Sequence, residues 1–329
     1  MTASSFRAAT IAVRVARKTV LAEDICGFEL VAADGGALPA ASAGAHVDVH
    51  LGDGLTRPYS LCHDPAETGR YRLGVLREPA SRGGSAAMHG RIAEGDILQI
   101  SPPRNLFALA EPLAAGRHRL LAGGIGITPI LAMAHALHRA GADFRLHYTA
   151  RSAARMAFRD ELAAAPWADR ISLHLDDGPA EQRLDLAALL ADVRPGDHLY
   201  VCGPAGLLAA TRAAATAAGW AEAQVHVESF TATPVVTDAA AGSFEVELAR
   251  SGRVITIAAH QTVLQALHAA GCDLPSSCEQ GICGTCLTPV LAGIPDHRDQ
   301  YLEPDEQAAN DQFLPCCSRA KTARLVIDL

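Results

Sequence analysis

The chain has 329 residues, too many for one ordinary hydrophobic core, and points to two or three domains. Its 36 Asp and Glu outweigh 28 Lys and Arg, so a formal charge of −8 speaks against a grip on nucleic acid or an anionic membrane. No uncharged apolar run approaches the roughly 18 residues of a membrane-spanning helix.

Near the start, Arg7, Arg14, Arg17 and Lys18 enclose no apolar stretch long enough for a signal peptide, and the expected location is the cytoplasm. The first segment, 1–112, carries short β-like runs at 11–15, 47–51, 71–76 and 97–100. Gly, Pro and Asp bound them, which predicts an antiparallel barrel or sandwich. Arg57-Pro58-Tyr59-Ser60-Leu61 follows one such run. An aromatic ring, a hydroxyl and a permanent planar cation suit an isoalloxazine with a phosphate tail. Arg82-Gly83-Gly84-Ser85 precedes a helix-like stretch whose opening N–H groups would face an anion. Taken alone, each motif reads equally well as an ordinary tyrosine or a plain turn.

The rhythm changes over 113–230. Apolar runs at 120–122, 144–149, 171–175, 198–202 and 225–230 alternate with helical stretches at 128–139, 184–190 and 205–218, which predicts a parallel sheet covered on both faces. Gly123-Gly124-Ile125-Gly126-Ile127-Thr128-Pro129 reads as strand, turn and helix. Thr128 is the expected N-cap, and Pro129 lies in the first turn. Gly124 and Gly126 would let a pyrophosphate approach the backbone, although the pattern is not GxGxxG. Two further strand ends fit a cofactor crevice. Arg151 and Ser152 follow the second strand, where an adenosine would lie. Cys202, Gly203 and Pro204 close the fourth, where a nicotinamide would lie. His174, Asp176 and Asp177 border the adenine side or form a solvated strand end.

Residues 231–242 lack periodicity and read as a linker. From 243 to 329 a hairpin (244–249 and 254–258) and a helix (263–270) precede the strongest signal in the chain. Cys278-x4-Cys283-x2-Cys286, with a distant Cys316-Cys317, is the spacing of a plant-type 2Fe–2S site. Gly281 and Gly284 allow the chain to wrap a compact core. Structural zinc sites favour paired Cys-x2-Cys units, which this loop lacks. The residues alone leave Cys316 and Cys317 open as fourth ligand, since neighbouring side chains of an extended segment point opposite ways. Cys26, Cys62 and Cys272 read as small buried hydrophobes.

In this order, RPYSL, GGIGITPI, VCGP and CEQGICGTC resemble the phthalate dioxygenase reductase family, which includes vanillate O-demethylase reductases. The resemblance covers nearly the whole chain. It implies a multidomain fold: a β-barrel flavin domain (1–112), an α/β parallel-sheet nucleotide domain (113–230) and an α+β, β-grasp plant-type ferredoxin domain (243–329). It implies FMN held by Arg57, Tyr59, Ser60 and Leu61, with Val75, Leu76 and Arg77 lining the site and Arg82, Gly83, Gly84 and Ser85 at the phosphate. Gly124, Gly126 and Thr128 would receive NADH, with Cys202 and Phe230 near the nicotinamide. Arg151 and Ser152 keep NADPH open, since they could meet a 2′-phosphate. The family ends its ligand set in Cys-x-Ser-Arg, which selects Cys316. No catalytic acid, base or nucleophile is expected.

The implied function is an NADH-dependent reductase that feeds a terminal oxygenase. A Rieske non-haem iron enzyme acting on an aromatic acid is the first expectation, and a haem-thiolate monooxygenase the second. A free-standing flavin or ferric reductase and a redox-sensing module are the competing classes. Residues 296–311 carry Asp296, Asp299, Glu303, Asp305, Glu306 and Asp311 against Arg298 alone, an acidic surface expected to steer a basic partner or simply to aid solubility.

Overall fold

The computed structural model describes residues 10–52, 54–79, 81–230 and 242–329, and the chain divides into two compact units, Met1–Phe230 and Thr231–Leu329. The expected linker lies outside the described residues apart from Gly242, as does Arg7.

The first unit begins with an antiparallel sheet. Its strands are β1 (Ile11–Ala22), β2 (Ile25–Ala32), β3 (Ala45–His50), β4 (Thr56–Ser60), β5 (Tyr71–Leu76), β6 (Ile97–Ile100) and the short β7 (Arg104–Asn105), with helix α1 (Gly84–Gly90) between β5 and β6. The order is β4-β3-β6-β1-β2-β5. A bridge between Leu61 and Leu73 joins the two outer strands, so the sheet closes on itself as a barrel. Val13, Val15, Phe28, Leu30, Val47, Val49, Leu73 and Val75 fill its interior.

β1 runs well past the expected 11–15, because β2 pairs with it along most of its length. Register irregularities between Val15 and Arg17 and between Val20 and Ala22 mark bulges that re-aim its side chains. Lys18, carried there, donates from Nζ to the carbonyls of His89 (2.7 Å) and Ile92 (2.6 Å), and so caps the C-terminal end of α1. That fixes the helix opened by Gly83 and Gly84 against the barrel.

The rest of the unit alternates strand and helix. β8 (Arg117–Gly123), α2 (Ile127–Arg139), β9 (Asp143–Ala150), α3 (Arg159–Ala164), β10 (Ile171–Leu175), α4 (Leu186–Leu190), β11 (His198–Cys202), α5 (Ala205–Ala217) and β12 (Val225–Glu228) form a parallel sheet in the order β10-β9-β8-β11-β12. The order reverses between β8 and β11, which places a crevice at the carboxyl ends of those two strands. Apolar residues of α2 pack on one face, and α4 with α5 on the other.

The barrel and the parallel sheet share a core. Ile25, Ala43, Cys62 and Phe107 of the barrel segment pack among the residues of α2 and β9. The Tyr200 hydroxyl on β11 accepts the Ala110 N–H at 2.8 Å. Arg72 on β5 forks onto Glu161 of α3 at 3.0 and 2.7 Å. This two-pronged ion pair ties β5 to helix α3 beside the parallel sheet.

In the second unit, β13 (Phe244–Leu248) and β14 (Arg253–Ile257) form the expected hairpin, followed by α6 (Val263–Ala269), β15 (Thr288–Ala292), β16 (Pro295–Asp296), α7 (Pro304–Ala309), β17 (Gln312–Phe313), β18 (Arg319–Ala320) and β19 (Arg324–Ile327). The order β14-β13-β19-β15-β17 sets β13 parallel to β19 between antiparallel neighbours, a mixed β-grasp sheet over which α6 buries Val263, Leu264 and Leu267. Thr262 caps α6 through a capping box with Gln265.

The Arg72–Glu161 link has a pH signature. Burial pushes the Glu161 carboxyl up, but His135 and Arg72 outweigh it and bring its pKa down from 4.5 to about 2. The link therefore adds stability above about pH 4.5 that is lost as pH falls toward 2. Glu161→Gln is expected to cost about 1 kcal/mol at pH 7, given the partial exposure of the pair. Thermal unfolding at pH 7 and pH 3 checks this: the variant's deficit at pH 7 should shrink at pH 3.

Candidate functional site

The flavin motif follows the run at 47–51, as expected, and most of it forms a strand of its own, β4. Arg57, Tyr59 and Ser60 stand on that strand, with Ser60 buried. The Arg57 guanidinium donates to the Thr56 carbonyl (2.7 Å) and to the Arg82 carbonyl (3.2 Å), so the strand is bound to the loop that opens α1. Ser85 and Ser81 brace this loop. Their hydroxyls lie 3.1 Å apart, Ser81 accepts the Gly83 N–H and Ser85 accepts the Glu78 N–H. Leu61 and Val75 turn their side chains into the barrel core, so only their backbones are available to a ligand. Leu76 is partly buried and Arg77 exposed, its N–H held by the Asp24 carbonyl. A strand cation, a neighbouring ring and an N–H-rich loop in one place fit a flavin with a terminal phosphate.

The glycine-rich turn meets the VCGP turn at the switch point. Gly124 takes a left-handed φ of 56° and faces open space, while a β-carbon on Gly126 would collide with the Cys202 carbonyl. One glycine thus leaves room for a ligand and the other allows two strand ends to touch. Thr128 does not cap α2, contrary to the pattern. A 3-10 turn, Gly124–Gly126, leads straight into the helix, and the buried Thr128 hydroxyl donates back to the Ile125 carbonyl at 3.0 Å. Gly203 and Pro204 continue the β11 end. Arg151 and Ser152 follow β9, with Arg151 exposed, and the Arg151 carbonyl accepts the Asp177 N–H. Asp176 accepts from Thr149, and His174 stacks on His147 with ring centroids 5.3 Å apart. Phe230 is about two-fifths exposed at 39%.

One residue at this crevice was not legible beforehand. Glu228, the last residue of β12, faces Ser60 of the flavin strand and lies 4.0 Å from the fully buried Cys202 thiol. Burial pushes the Glu228 carboxyl up to about 8, against the pull of the Ser60 hydroxyl, and pushes the Cys202 thiol well up. Around neutral pH a protonated carboxyl thus stands where the flavin strand meets the two central turns.

In the second unit the cysteines come as two pairs. The Cys278 thiol interacts with Cys283, and the Cys286 thiol with Cys316. The Gln280 N–H points at the Cys278 sulfur (3.3 Å), joined by the N–H groups of Ile282 and Cys283, and the Cys283 sulfur meets the Thr285 hydroxyl at 3.2 Å. Among the described residues no group of three or more His, Cys, Asp or Glu closes around a metal ion. A two-iron cluster asks instead for two thiolates on each iron, which two pairs provide. The Cys316 thiol interacts with Cys286 and also with its neighbour Cys317, whose own sulfur faces the Leu314 carbonyl (3.7 Å) and the Ser318 hydroxyl (3.8 Å). The residues fit the cluster that the spacing suggests. The acidic run is less uniform than its sequence: Asp299 is buried and Asp296 pairs with Arg298 at 2.7 Å, leaving Glu303, Asp305, Glu306 and Asp311 exposed.

A raised folded-state pKa at Glu228 disfavours the folded state as pH climbs from 4.5 through about 8, because the unfolded carboxyl ionises first. Glu228→Gln in flavin-free protein is therefore expected to flatten this decline. It should stabilise the fold by roughly 2 kcal/mol at pH 8.5, allowing for partial exposure. Melting curves across pH 5 to 9 read the difference.

Comparison with known proteins agrees with this geometry. Residues 120–213 match the oxidoreductase NAD-binding domain, and residues 246–321 the 2Fe-2S iron-sulfur cluster binding domain. Vanillate O-demethylase oxidoreductase of a Pseudomonas species is 52% identical over 319 residues, 97% of this chain and 100% of that protein. The solved structure of phthalate dioxygenase reductase, a modular structure for electron transfer from pyridine nucleotides to a 2Fe–2S centre, superposes with a TM-score of 0.76. It is 39% identical, over 97% of this chain and 98% of that one. An intact type IV self-sufficient cytochrome P450 monooxygenase superposes with a TM-score of 0.83 at 42% identity, over 97% of this chain and 41% of that longer one. The likeness thus runs through barrel, parallel sheet and cysteine loop alike, and the chain belongs to the phthalate dioxygenase reductase family.

Proposed function

We propose that this chain is the reductase component of an oxygenase system, passing electrons from NADH through FMN and a 2Fe–2S cluster to a separate terminal oxygenase in the cytoplasm. The observation that carries the reading is the meeting of Ser60, Glu228 and Cys202 at the switch point, in a chain that also holds four cysteines in two pairs. When bound, FMN takes up electrons in pairs and releases them singly, and the cluster carries one at a time.

The chain's part is to hold and orient. Arg57 and the loop of Arg82, Gly83, Gly84 and Ser85 would take the flavin phosphate, with Tyr59 and Ser60 beside the ring system. Leu61 and Val75 would contribute backbone, and Leu76 with Arg77 the border. Gly124 would admit the dinucleotide, while Gly126 and Thr128 keep the turn in shape. Arg151 and Ser152 would meet the adenosine end, and Cys202, Gly203, Pro204 and Phe230 the nicotinamide end. Glu228 keeps a proton on its carboxyl around neutral pH and so adds no charge where the flavin strand meets the central turns. Cys278, Cys283, Cys286 and Cys316 would hold the cluster. The corresponding domains are 1–112, 113–230 and 243–329, joined by 231–242.

The full-length likeness to a vanillate O-demethylase oxidoreductase supports a Rieske non-haem iron partner acting on an aromatic acid, by O-demethylation or dioxygenation. A second reading, a haem-thiolate monooxygenase partner, is favoured by the cytochrome P450 match. In both, the exposed acids Glu303, Asp305, Glu306 and Asp311 would steer a basic face.

Anaerobic rapid mixing with NADH is expected to bleach flavin absorbance first and cluster absorbance second, faster than with NADPH. Cys286→Ser should keep the first phase and lose the second. Bleaching without cluster reduction in the wild type would make the chain a free-standing flavin reductase, and no bleaching would sink the reading. Reversing Glu303, Asp305 and Glu306 to Lys should slow electron delivery to the cognate oxygenase and flatten its salt dependence. A wild-type rate indifferent to ionic strength would count against steering.

A further inference from the structure

The two segments that carry the paired cysteines are joined by a buried polar connection that the ligands themselves do not explain. Asp299 reads as one more surface acid, yet its side chain is 0% exposed. Its Oδ2 accepts the Leu302 N–H at 2.9 Å, and its Oδ1 accepts the Ser318 hydroxyl at 3.3 Å. Ser318 is fully buried two residues beyond Cys316, and its Oγ also accepts the Arg298 N–H at 3.2 Å. The carboxylate therefore holds the segment of the fourth cysteine from the side.

The same short stretch grips the three-cysteine loop. The Gln300 N–H donates to the Gly281 carbonyl at 2.9 Å. Gly281 has a left-handed φ of 74°, and a β-carbon there would stand 3.0 Å from the Asp299 Cα and 2.5 Å from the Cys317 sulfur. Loop, carboxylate and fourth-cysteine segment thus close on one another with no room for a methyl group. His297 lies 3.6 Å from Oδ1, beyond hydrogen-bond reach, and among the described residues neither of its ring nitrogens has a partner.

A buried carboxylate with two donors is expensive if its work is only mechanical, since a neutral side chain could bridge two segments at less desolvation cost. Placed behind a cluster loop, its charge acts on the one event that changes the charge of that loop, the arrival of an electron. Reduction potentials of such centres respond to net charge and to nearby hydrogen bonds.

We propose that Asp299 is a positioning and tuning residue for the cluster: through Ser318 and the Gly281 contact it clamps the Cys316 segment to the Cys278–Cys286 loop, and its negative charge opposes reduction. The proposal rests on the 2Fe–2S reading above. Asp299→Asn keeps an acceptor oxygen and removes the charge. Ser318→Ala keeps the charge and removes a donor that compensates it. The two changes therefore drive the potential in opposite directions.

The test uses the full-length chain, wild type and both variants, with cluster and flavin contents measured, the cluster titrated by redox-monitored EPR, and iron release to a chelator timed. Asp299→Asn should shift the cluster midpoint to more positive values, and Ser318→Ala to more negative ones. Both should release iron several-fold faster than wild type, with flavin content and flavin midpoint unchanged. Wild-type midpoint and iron retention in both variants, or shifts of the same sign, would overturn the proposal. If Asp299→Asn does not fold, the sign of the Ser318→Ala shift decides. A wild-type chain without a cluster would instead refute the 2Fe–2S reading itself.

Discussion

The meeting of Glu228 with Ser60 and Cys202 is the point on which the first unit turns. It joins β4, the strand of the flavin motif, to the last strand of the parallel sheet. Two folds with separate hydrogen-bond networks must meet there without trapping an unpaired charge. The carboxyl meets that demand by staying protonated, and Cys202 beside it is likewise held as a neutral thiol. The result is an uncharged meeting place at the carboxyl ends of β8 and β11, where an α/β sheet of this order has its natural crevice.

The surrounding structure serves this meeting. Arg72 and Glu161 fasten β5 to α3, and the apolar residues of α2 share a core with the barrel. Lys18 holds α1 from the far strand, which keeps the loop of Arg82 to Ser85 beside Arg57. Backbone donors fixed in this way need no rearrangement when an anion arrives, so less binding energy is spent on ordering them. In the second unit the same economy recurs on a smaller scale. Backbone N–H groups aim at the Cys278 sulfur, and a buried carboxylate spans the two cysteine segments.

Much of the site was legible in the chain because its signals are local. Cys-x4-Cys-x2-Cys is set by how far a short loop can reach, so residue spacing alone suggests its chemistry. Strand, glycine turn and helix at 120–130 form one continuous stretch, and only the cap was misplaced, because a 3-10 turn replaced the extended residue that Thr128 would have needed. β2 was missed because ICGFELVA alternates imperfectly and contains a glycine. It is a strand because β1 and β5 pair with it on both sides.

By itself, then, the sequence suggested the cluster chemistry through one local cysteine loop, and the domain order with its flavin and nucleotide sites through the succession of motifs along the chain rather than through any one of them. Only the tertiary structure decided which acids matter. Glu228 meets Ser60 from 168 positions away, and Asp299 turns inward to Ser318 while Glu303, Asp305, Glu306 and Asp311 of the same acidic run face solvent. Charge pattern counts carboxylates but cannot say which is desolvated. Burial is a property of what packs over a residue, and that is settled by strand order and chain crossing, not by local composition.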